Sequence, residues 1–361
     1  MTFRVIQWAT GHVGRAAIEG ILSHPELELV GCWVHSAEKH GQDVGALCGL
    51  APIGVHATTD AEAICATPAD CVVYSPLLPS IDDVARLLAS GKNVVTPVGW
   101  FYPFHGMDIA RLEAACREGG ATLHGTGIHP GGITERFPLA ISALSRAITH
   151  VRAEEFSDIR TYAAEMVVRE VMLFGKSPDE ARRSMMPQLL GNGFGQSIDM
   201  MADALGFVLD PEKRVTHEMA VATARIDTPI GPIEPGTVAA QRFAWQGTVG
   251  GTPVLSARVN WLMGEEHLDP AWTFGPKGER FEIEVTGDPS VLVTFQGLQP
   301  PDVASGIRRN PGIVATAMHC VNAIPTVCRA APGIRTYLDL PMATGRGAGA
   351  MARSPGAHRP R

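Results

Sequence analysis

The chain has 361 residues, of which 45% are hydrophobic and 19% are charged, and its formal net charge at pH 7 is −7. This composition is typical of a globular protein long enough for two domains, and it excludes a chain without a hydrophobic core. The negative charge argues against nucleic-acid binding, and no run of about eighteen apolar residues predicts a membrane span.

The cysteines and the N-terminal residues indicate the cellular compartment in which the protein is expected. The seven cysteines are scattered and form no CxxC pair, which indicates reduced thiols in the core rather than disulfides or a zinc site. HExxH is also absent, so we expect no metal. No basic segment followed by an apolar stretch opens the chain, so we expect no signal peptide and a cytoplasmic location.

The first predicted elements are a buried strand from residue 3, a tight turn, and a helix to about residue 22. The turn reads A-x-G-x-x-G and resembles the start of a dinucleotide-binding βαβ unit. Gly11, at the second glycine position of the fingerprint, would let the backbone approach a pyrophosphate. The pyrophosphate would lie at the positive end of the helix dipole. An ordinary strand-to-helix turn without ligand is the alternative. The predicted cofactor-binding residues here are Ala9, Thr10, Gly11, His12, Val13 and Gly14.

The second strand, residues 28–34, ends without the carboxylate that would bind the ribose hydroxyl of NAD. Ser36 can donate to a phosphate, and His35 or Lys39 can approach its charge. The end of this strand therefore favours NADP, with NAD still possible. The alternative is that these residues form a polar surface loop without a ligand.

Strands at 70–74, 93–96 and 121–125 alternate with helices at 81–90 and 107–118, which predicts a doubly wound parallel sheet of the Rossmann type. Its ligand lies at the carboxyl ends of the strands, where Ser75, Pro76 and Gly127 are predicted to contact the cofactor. The loops 97–106 and 125–132 follow two of these strands. We expect both loops to overhang the nicotinamide.

The alternation then stops. A strand at 150–156 and helices at 162–174, 178–190 and 197–205 precede a run of strands that begins near residue 215 and ends near residue 295. We predict a dinucleotide-binding domain at 1–132 and an α+β substrate and dimerisation domain at 133–305. A helix at 306–341 would return to the cleft, and the Gly/Ala/Arg-rich tail at 342–361 should be disordered.

The predicted helix places His319 and Asn322 three residues apart on one face, as core hydrogen-bonders or as site residues.

Three segments carry a resemblance to a known family: the turn at 11–14, the loop G-T-G-I-H-P-G at 125–131, and residues 315–334. The chain resembles dihydrodipicolinate reductase-like oxidoreductases, in the branch of 2,4-diaminopentanoate dehydrogenase and the native amine dehydrogenases. The resemblance implies a Rossmann domain, an α+β domain, a homodimer, and hydride transfer from a nicotinamide to an imine made from a carbonyl compound and ammonia.

The sequence departs from this family at a position that would handle protons during the reaction. The resemblance implies a carboxylate a few residues before Tyr102-Pro103, but Val98 and Gly99 stand there. We therefore expect slow amination, with carbonyl reduction or cofactor binding without turnover as alternatives. The histidine pair and lysine of true dihydrodipicolinate reductases are also absent.

The substrate site is predicted from the loops and the late helix. We expect an apolar wall that suits a hydrophobic carbonyl compound, and proton donors near neutral pH among the tyrosine and histidines. Asp158 or Glu165 would be the first replacements for the missing acid. The residues predicted to act on or bind the substrate are Trp100, Phe101, Tyr102, His105, His129, Asp158, His319 and Asn322.

Overall fold

The structure is a computed structural model, and it describes residues 2–347. The first strands are β1 Phe3–Trp8, β2 Leu27–Trp33, β3 Ala57–Thr58, β4 Cys71–Tyr74, β5 Asn93–Thr96, β6 Thr122–Gly125 and β7 Ala147–Asp158. The later strands are β8 Arg214–Ala222, β9 Val238–Val249, β10 Thr252–Leu262, β11 Leu268–Asp269, β12 Arg280–Asp288, β13 Val291–Phe295 and β14 Gly333–Ile334. The α-helices are α1 His12–Ser23, α2 Val44–Leu47, α3 Ala61–Ala66, α4 Ile81–Ala89, α5 Ala110–Gly119, α6 Phe137–Ser142, α7 Pro178–Arg183, α8 Met186–Leu205, α9 Val303–Arg308 and α10 Pro311–Val327.

The chain divides into two compact units. Among the described residues, the first unit contains those up to residue 128 and those from residue 313 onward, and the second unit contains residues 129–312. The predicted boundaries after residues 132, 305 and 341 stay predictions. Among residues 2–347, no helix is long and apolar enough to cross a membrane.

The first unit is built on a parallel sheet with the strand order β14-β6-β5-β4-β1-β2-β3. The order reverses between β1 and β4, so the sheet is doubly wound, as predicted from the alternation of strands and helices. This confirms the predicted fold class for the first unit. Sequence analysis did not find β14, which is two residues long and pairs with β6 at the sheet edge.

The turn between β1 and α1 depends on a close approach of helix to strand. A Cβ on Gly14 would lie 2.2 Å from the carbonyl oxygen of Ala9, so a side chain there displaces backbone. Ala9 itself has a φ of 75°, in the left-handed region where a glycine is usual. The side chain of Gln7 is fully buried beneath the turn, and its Nε2 donates to the carbonyl oxygen of Ala9 at 2.9 Å.

The loops after β5 and β6 also pack tightly at the carboxyl edge of this sheet. A Cβ on Gly125 would lie 2.4 Å from the carbonyl oxygen of Gly99 and 2.5 Å from that of Trp100. Glycine at the end of β6 therefore lets the loop that follows β5 pack directly against it. The two loops predicted to overhang the same ligand are thus neighbours within the first unit.

The second unit is a seven-stranded sheet in the order β11-β8-β9-β10-β7-β12-β13. Its core lies between one face of the sheet and α8, where Phe194, Ile198 and Met201 pack against strand residues such as Trp245. The predicted α+β class is confirmed. The strand pairs of this sheet are antiparallel except for β7 and β10, which pair in parallel.

Two of the predicted helices differ in the structure. Residues 162–174 do not form one helix, because only a short π-helical turn at Val167–Val171 lies within them. The helix predicted at 178–190 is interrupted after Arg183, and α8 begins at Met186 with a proline in its first turn. Proline is favoured there, and α7 ends because Ser184 is extended, with φ −70° and ψ 146°. Of the tail predicted to be disordered, residues 342–347 have no regular structure and residues 348–361 lie outside the described residues.

Gly14→Ala is expected to lower the free energy of unfolding by about 1–3 kcal/mol, because the new methyl group collides with backbone that cannot move away. Urea denaturation measures this change. Gly11→Ala is the matched control, since a Cβ on Gly11 meets nothing within 4 Å. Equal unfolding midpoints for the two variants would contradict the proposed close approach.

Candidate functional site

The start of α1 has the properties of an anion-binding site. Gly11 caps the helix with a φ of −69°, and the first turn contains no acidic side chain that would neutralise the positive end of the helix dipole. A Cβ on Gly11 would point into open space, with no atom within 4 Å. His12 and Val13 begin the helix. The turn therefore fits the pyrophosphate of a dinucleotide, which needs close access to the helix N-terminus.

The tip of β2 lies beside this turn. The ammonium group of Lys39 donates to the Thr10 hydroxyl at 3.1 Å, so a positive charge lies next to the predicted phosphate site. Ser36 is half-buried and immediately precedes the 3-10 turn Ala37–Lys39, and His35 is exposed. The structure thus brings the β2 tip and the glycine turn together.

Gln7 is a residue that the sequence analysis missed. Its Nε2 donates to the Ser75 hydroxyl at 2.8 Å and to the carbonyl oxygen of Trp8 at 3.0 Å, so it joins the ends of β1 and β4. Ser75 is predicted to bind the cofactor, and Pro76 follows it. A polar residue within the apolar run of β1 was the available signal, because a buried amide needs hydrogen-bond partners.

The aromatic loop after β5 is packed inward. Trp100 is 3% exposed and belongs to a core cluster with Trp8 and Tyr74, and its indole nitrogen has no hydrogen-bond partner among residues 2–347. Phe101 is also 3% exposed, and the ring of Tyr102 stacks on His105 with centroids 5.8 Å apart. The predicted substrate wall and proton donors in this loop stay predictions.

A hydrogen-bonded chain connects the end of β6 to α10. The hydroxyl of Tyr337 lies between the Thr126 hydroxyl and Nδ1 of His319, and its distance to that nitrogen is 3.4 Å. Tyr337 was missed by sequence analysis because the short β14 that positions it was not predicted. Gly127 is buried in the same loop as Thr126. Asn322 is half-buried one helical turn further along α10.

His129 opens the second unit in an apolar setting. Its side chain is 1% exposed and contacts the rings of Phe194 and Phe281 at centroid distances of 4.9 Å and 5.6 Å. Burial lowers the pKa of His129 to about 3, so the ring is neutral at pH 7. Nε2 lies 3.8 Å from a carboxyl oxygen of Glu155, a residue that sequence analysis did not consider. Burial raises the pKa of Glu155 to about 7, although hydrogen bonds from Ser157 and Trp261 act in the opposite direction.

Asp158 and Glu165, the predicted replacement acids, have cationic partners. Asp158 forms a bidentate pair with the Arg160 guanidinium and lies beside a cavity of about 440 Å³ within the second unit. Glu279 lines the same cavity, and burial raises its pKa to about 7. Glu165 is 70% exposed and lies 3.6 Å from Arg169. The substrate-binding role of Asp158 stays a prediction.

Glu135 is a second buried acid that sequence analysis passed over. It is fully buried, its Oε1 accepts hydrogen bonds from Thr134 and Ser197, and its Oε2 has no partner among the described residues. Burial raises its pKa to about 8, so the carboxyl is neutral at pH 7. Because the Glu135 side chain is fully buried, we interpret it as a structural residue of the core.

Within residues 2–347, no group of three or more His, Cys, Asp or Glu side chains is arranged to hold a metal ion.

Comparison with known proteins gives consistent matches over most of the chain. Residues 5–96 match the N-terminus of dihydrodipicolinate reductase, and residues 133–352 match the 2,4-diaminopentanoate dehydrogenase C-terminal domain. An amine dehydrogenase of Streptomyces virginiae is 33% identical over 93% of this chain and 96% of its own length. The 2,4-diaminopentanoate dehydrogenase of Acetoanaerobium sticklandii is 21% identical over 94% and 93% of the two chains.

A solved structure agrees. The amine dehydrogenase of Mycobacterium smegmatis superimposes with a TM-score of 0.78 at 21% identity, over 96% of this chain and 98% of the other, which shows the same fold.

The doubly wound sheet, the glycine turn and these matches define an NAD(P)-dependent oxidoreductase that uses a nicotinamide cofactor. The chain belongs to the family of 2,4-diaminopentanoate dehydrogenases and amine dehydrogenases. This confirms the resemblance inferred from the glycine turn, the loop after β6 and the late helix.

Glu135→Gln is expected to flatten the pH dependence of stability. The folded-state pKa of about 8 exceeds the ordinary value of 4.5, so the folded protein keeps a proton that the unfolded chain loses. The stability contributed by this group is therefore present at low pH and lost as the pH rises through this window to about 8. Glutamine does not titrate, so above pH 8 the variant should be more stable by roughly 1–3 kcal/mol.

Unfolding midpoints measured by urea denaturation across this pH range test the expectation. The exposed Glu165→Gln variant is the control and should follow the unmodified protein. Parallel curves for Glu135→Gln and the unmodified protein would contradict a neutral Glu135.

Proposed function

We propose that the protein catalyses reductive amination of a hydrophobic aldehyde or ketone with NADPH and ammonia. The observation that carries this proposal is the 33% identity to an amine dehydrogenase along 93% of the chain. The apolar aromatic loop at 100–102 supports a hydrophobic substrate. In the overall reaction, the carbonyl compound and ammonia lose water to form an imine, which then takes up one hydride and one proton.

The residues of the first unit would bind and orient. The N-terminus of α1 would hold the pyrophosphate, and Gly11 would leave room for it. The bound nicotinamide would supply the hydride, while the protein supplies position, exclusion of water and a proton. Tyr102 and His105 are the predicted proton donors in the loop after β5.

Reduction of the carbonyl compound without ammonia is the second candidate. Val98 and Gly99 occupy the positions where the resemblance implies a carboxylate, which favours this alternative. A Cβ on Gly99 would meet nothing within 4 Å, so this loop has room for a larger side chain.

NADPH is expected to bind more tightly than NADH. The ammonium of Lys39 beside Thr10, and the absence of an acid at the β2 tip, favour a 2′-phosphate. Ser36→Asp should reverse the preference by charge repulsion, whereas Gly11→Val should abolish binding of both cofactors. Fluorescence titration of each cofactor measures the dissociation constants. Tighter NADH binding by the unmodified protein would refute the NADP assignment.

NADPH oxidation should depend on ammonia when hydrophobic aldehydes and ketones are supplied. Gly99→Glu is expected to raise the ammonia-dependent rate several-fold, because it restores a carboxylate in the loop after β5. The assay compares oxidation with and without ammonia, and Gly99→Gln controls for side-chain size. Equal rates with and without ammonia would instead support the carbonyl reductase.

We also propose that the protein is a homodimer through the sheet of the second unit. The face of β7 and β12 opposite α8 carries an ionic network in which Arg152 pairs with Glu282 and Glu284. Glu282 is 5% exposed and Arg280 is 8% exposed although they lie on this face. Such a face fits a second copy of the chain, and sedimentation at micromolar concentration would give its mass.

A further inference from the structure

We propose that Tyr337 is a positioning residue that acts through Thr126 to hold the loop after β6, where the nicotinamide end of the cofactor binds. The inference rests on the proposed function, because it needs a nicotinamide dinucleotide on the first unit. Both residues belong to this unit, and sequence analysis assigned a role to neither of them. Gly127, which directly follows Thr126, is predicted to contact the cofactor.

The strand order of the parallel sheet puts the end of β6 on the nicotinamide side. A dinucleotide on such a sheet lies across the point where the order reverses, with one mononucleotide half on each side. Here that point lies between β1 and β4. Lys39, beside Thr10, follows β2 and would meet the adenosine half. The strands on the other side are β4, β5, β6 and β14, so the loop after β6 belongs to the nicotinamide half.

Residues 331–337 run alongside β6 in the same direction. The short strand β14 pairs with β6 in parallel, and the amide of Arg335 donates to the carbonyl oxygen of Leu123 at 2.9 Å. Nδ1 of His124 lies 2.8 Å from the carbonyl oxygen of Arg335. The ring of Tyr337 then meets the His124 ring edge-on, with centroids 5.3 Å apart. The segment therefore brings the Tyr337 side chain to the carboxyl end of β6.

Thr126 is held from three directions at this end. It is the first residue after β6 and is 1% exposed. Its amide donates to the carbonyl oxygen of Thr96 in β5 at 2.8 Å, and its hydroxyl forms a hydrogen bond with the Tyr337 hydroxyl. Its carbonyl oxygen lies 4.0 Å from Sγ of Cys320 in α10. The buried Gly127 is therefore constrained from its N-terminal side.

His319 is a second partner of the Tyr337 hydroxyl, from α10. Its Nδ1 lies 3.4 Å from that oxygen, which is a weak hydrogen bond at this distance. A hydroxyl can donate one hydrogen bond and accept others, so the phenol can serve His319 and Thr126 together. Of the two roles expected for His319, the inference assigns it the hydrogen-bonding role within the protein.

Loss of the Tyr337 hydroxyl would affect the loop more than the sheet. The backbone contacts of residues 331–335 do not depend on it, but the buried Thr126 hydroxyl would lose this partner. A buried polar group that loses its partner costs free energy, and Thr126 would turn or shift to regain one. The nicotinamide must lie within a narrow range of distances from the reacting carbon, so a small shift of the loop slows hydride transfer.

The experiment measures, by titration calorimetry, the binding of NADPH and of 2′-phospho-ADP-ribose, which lacks the nicotinamide. Tyr337→Phe should raise the dissociation constant of NADPH by roughly 3–10-fold and leave that of the fragment unchanged. Thr126→Val should have the same effect, and the double variant should be no weaker than either single variant, because both remove one shared bond. Thr126→Ser keeps the hydroxyl and should bind like the unmodified protein. Tyr162→Phe makes the matched change in the second unit and is the control.

Hydride transfer provides a second readout. At saturating NADPH, single-turnover oxidation by a carbonyl compound and ammonia should be slower by about tenfold or more in Tyr337→Phe. The KM for the carbonyl compound should stay the same, since the variant acts on the cofactor end. An unchanged rate at saturating NADPH would overturn the inference.

The binding measurements can also overturn the inference by themselves. Unchanged NADPH affinity in both Tyr337→Phe and Thr126→Val would do so. Equal weakening of NADPH and the fragment would do so too, because it would show a general effect on the first unit. Unfolding midpoints in urea identify a variant that does not fold, and the other variant then decides the test. No NADPH binding by the unmodified protein would instead overturn the proposed function.

Discussion

The buried amide of Gln7 is the interaction on which the nucleotide-binding half depends. Its nitrogen connects the carbonyl oxygens at the end of β1 to the Ser75 hydroxyl after β4, so it spans the point where the strand order reverses. The helix N-terminus must lie directly above this point to bind phosphate. It can do so because Gly14 has no Cβ to collide with Ala9.

Burial decides the proton chemistry of the second unit. Glu155 and Asp158 are three residues apart in β7, and side chains at that spacing point to opposite faces of a sheet. Asp158 meets the guanidinium of Arg160, whereas Glu155 meets apolar side chains and His129, and burial raises the pKa of Glu155 to about 7. Two similar carboxyl groups on one strand therefore lie in different electrostatic environments, one beside a cation and one among apolar side chains.

Much of the fold followed from local patterns, while the site was only partly predictable. The parallel sheet was evident from apolar strands alternating with amphipathic helices. Gln7, Tyr337 and Glu155 were not predicted to matter. Each of them depends on a partner far away in the sequence, such as Ser75 for Gln7 and Thr126 for Tyr337.

The sequence by itself determined the family and most of the order of elements, because glycine spacing and hydrophobic periodicity act over a few residues. Only the tertiary structure decided which polar side chains are buried and what they meet. His129 was visible in the sequence as a loop histidine, but its isolation among Phe194 and Phe281 and its approach to Glu155 arise when β7, α8 and β12 pack together. Desolvation is a property of that packed environment, and no local pattern of residues records it.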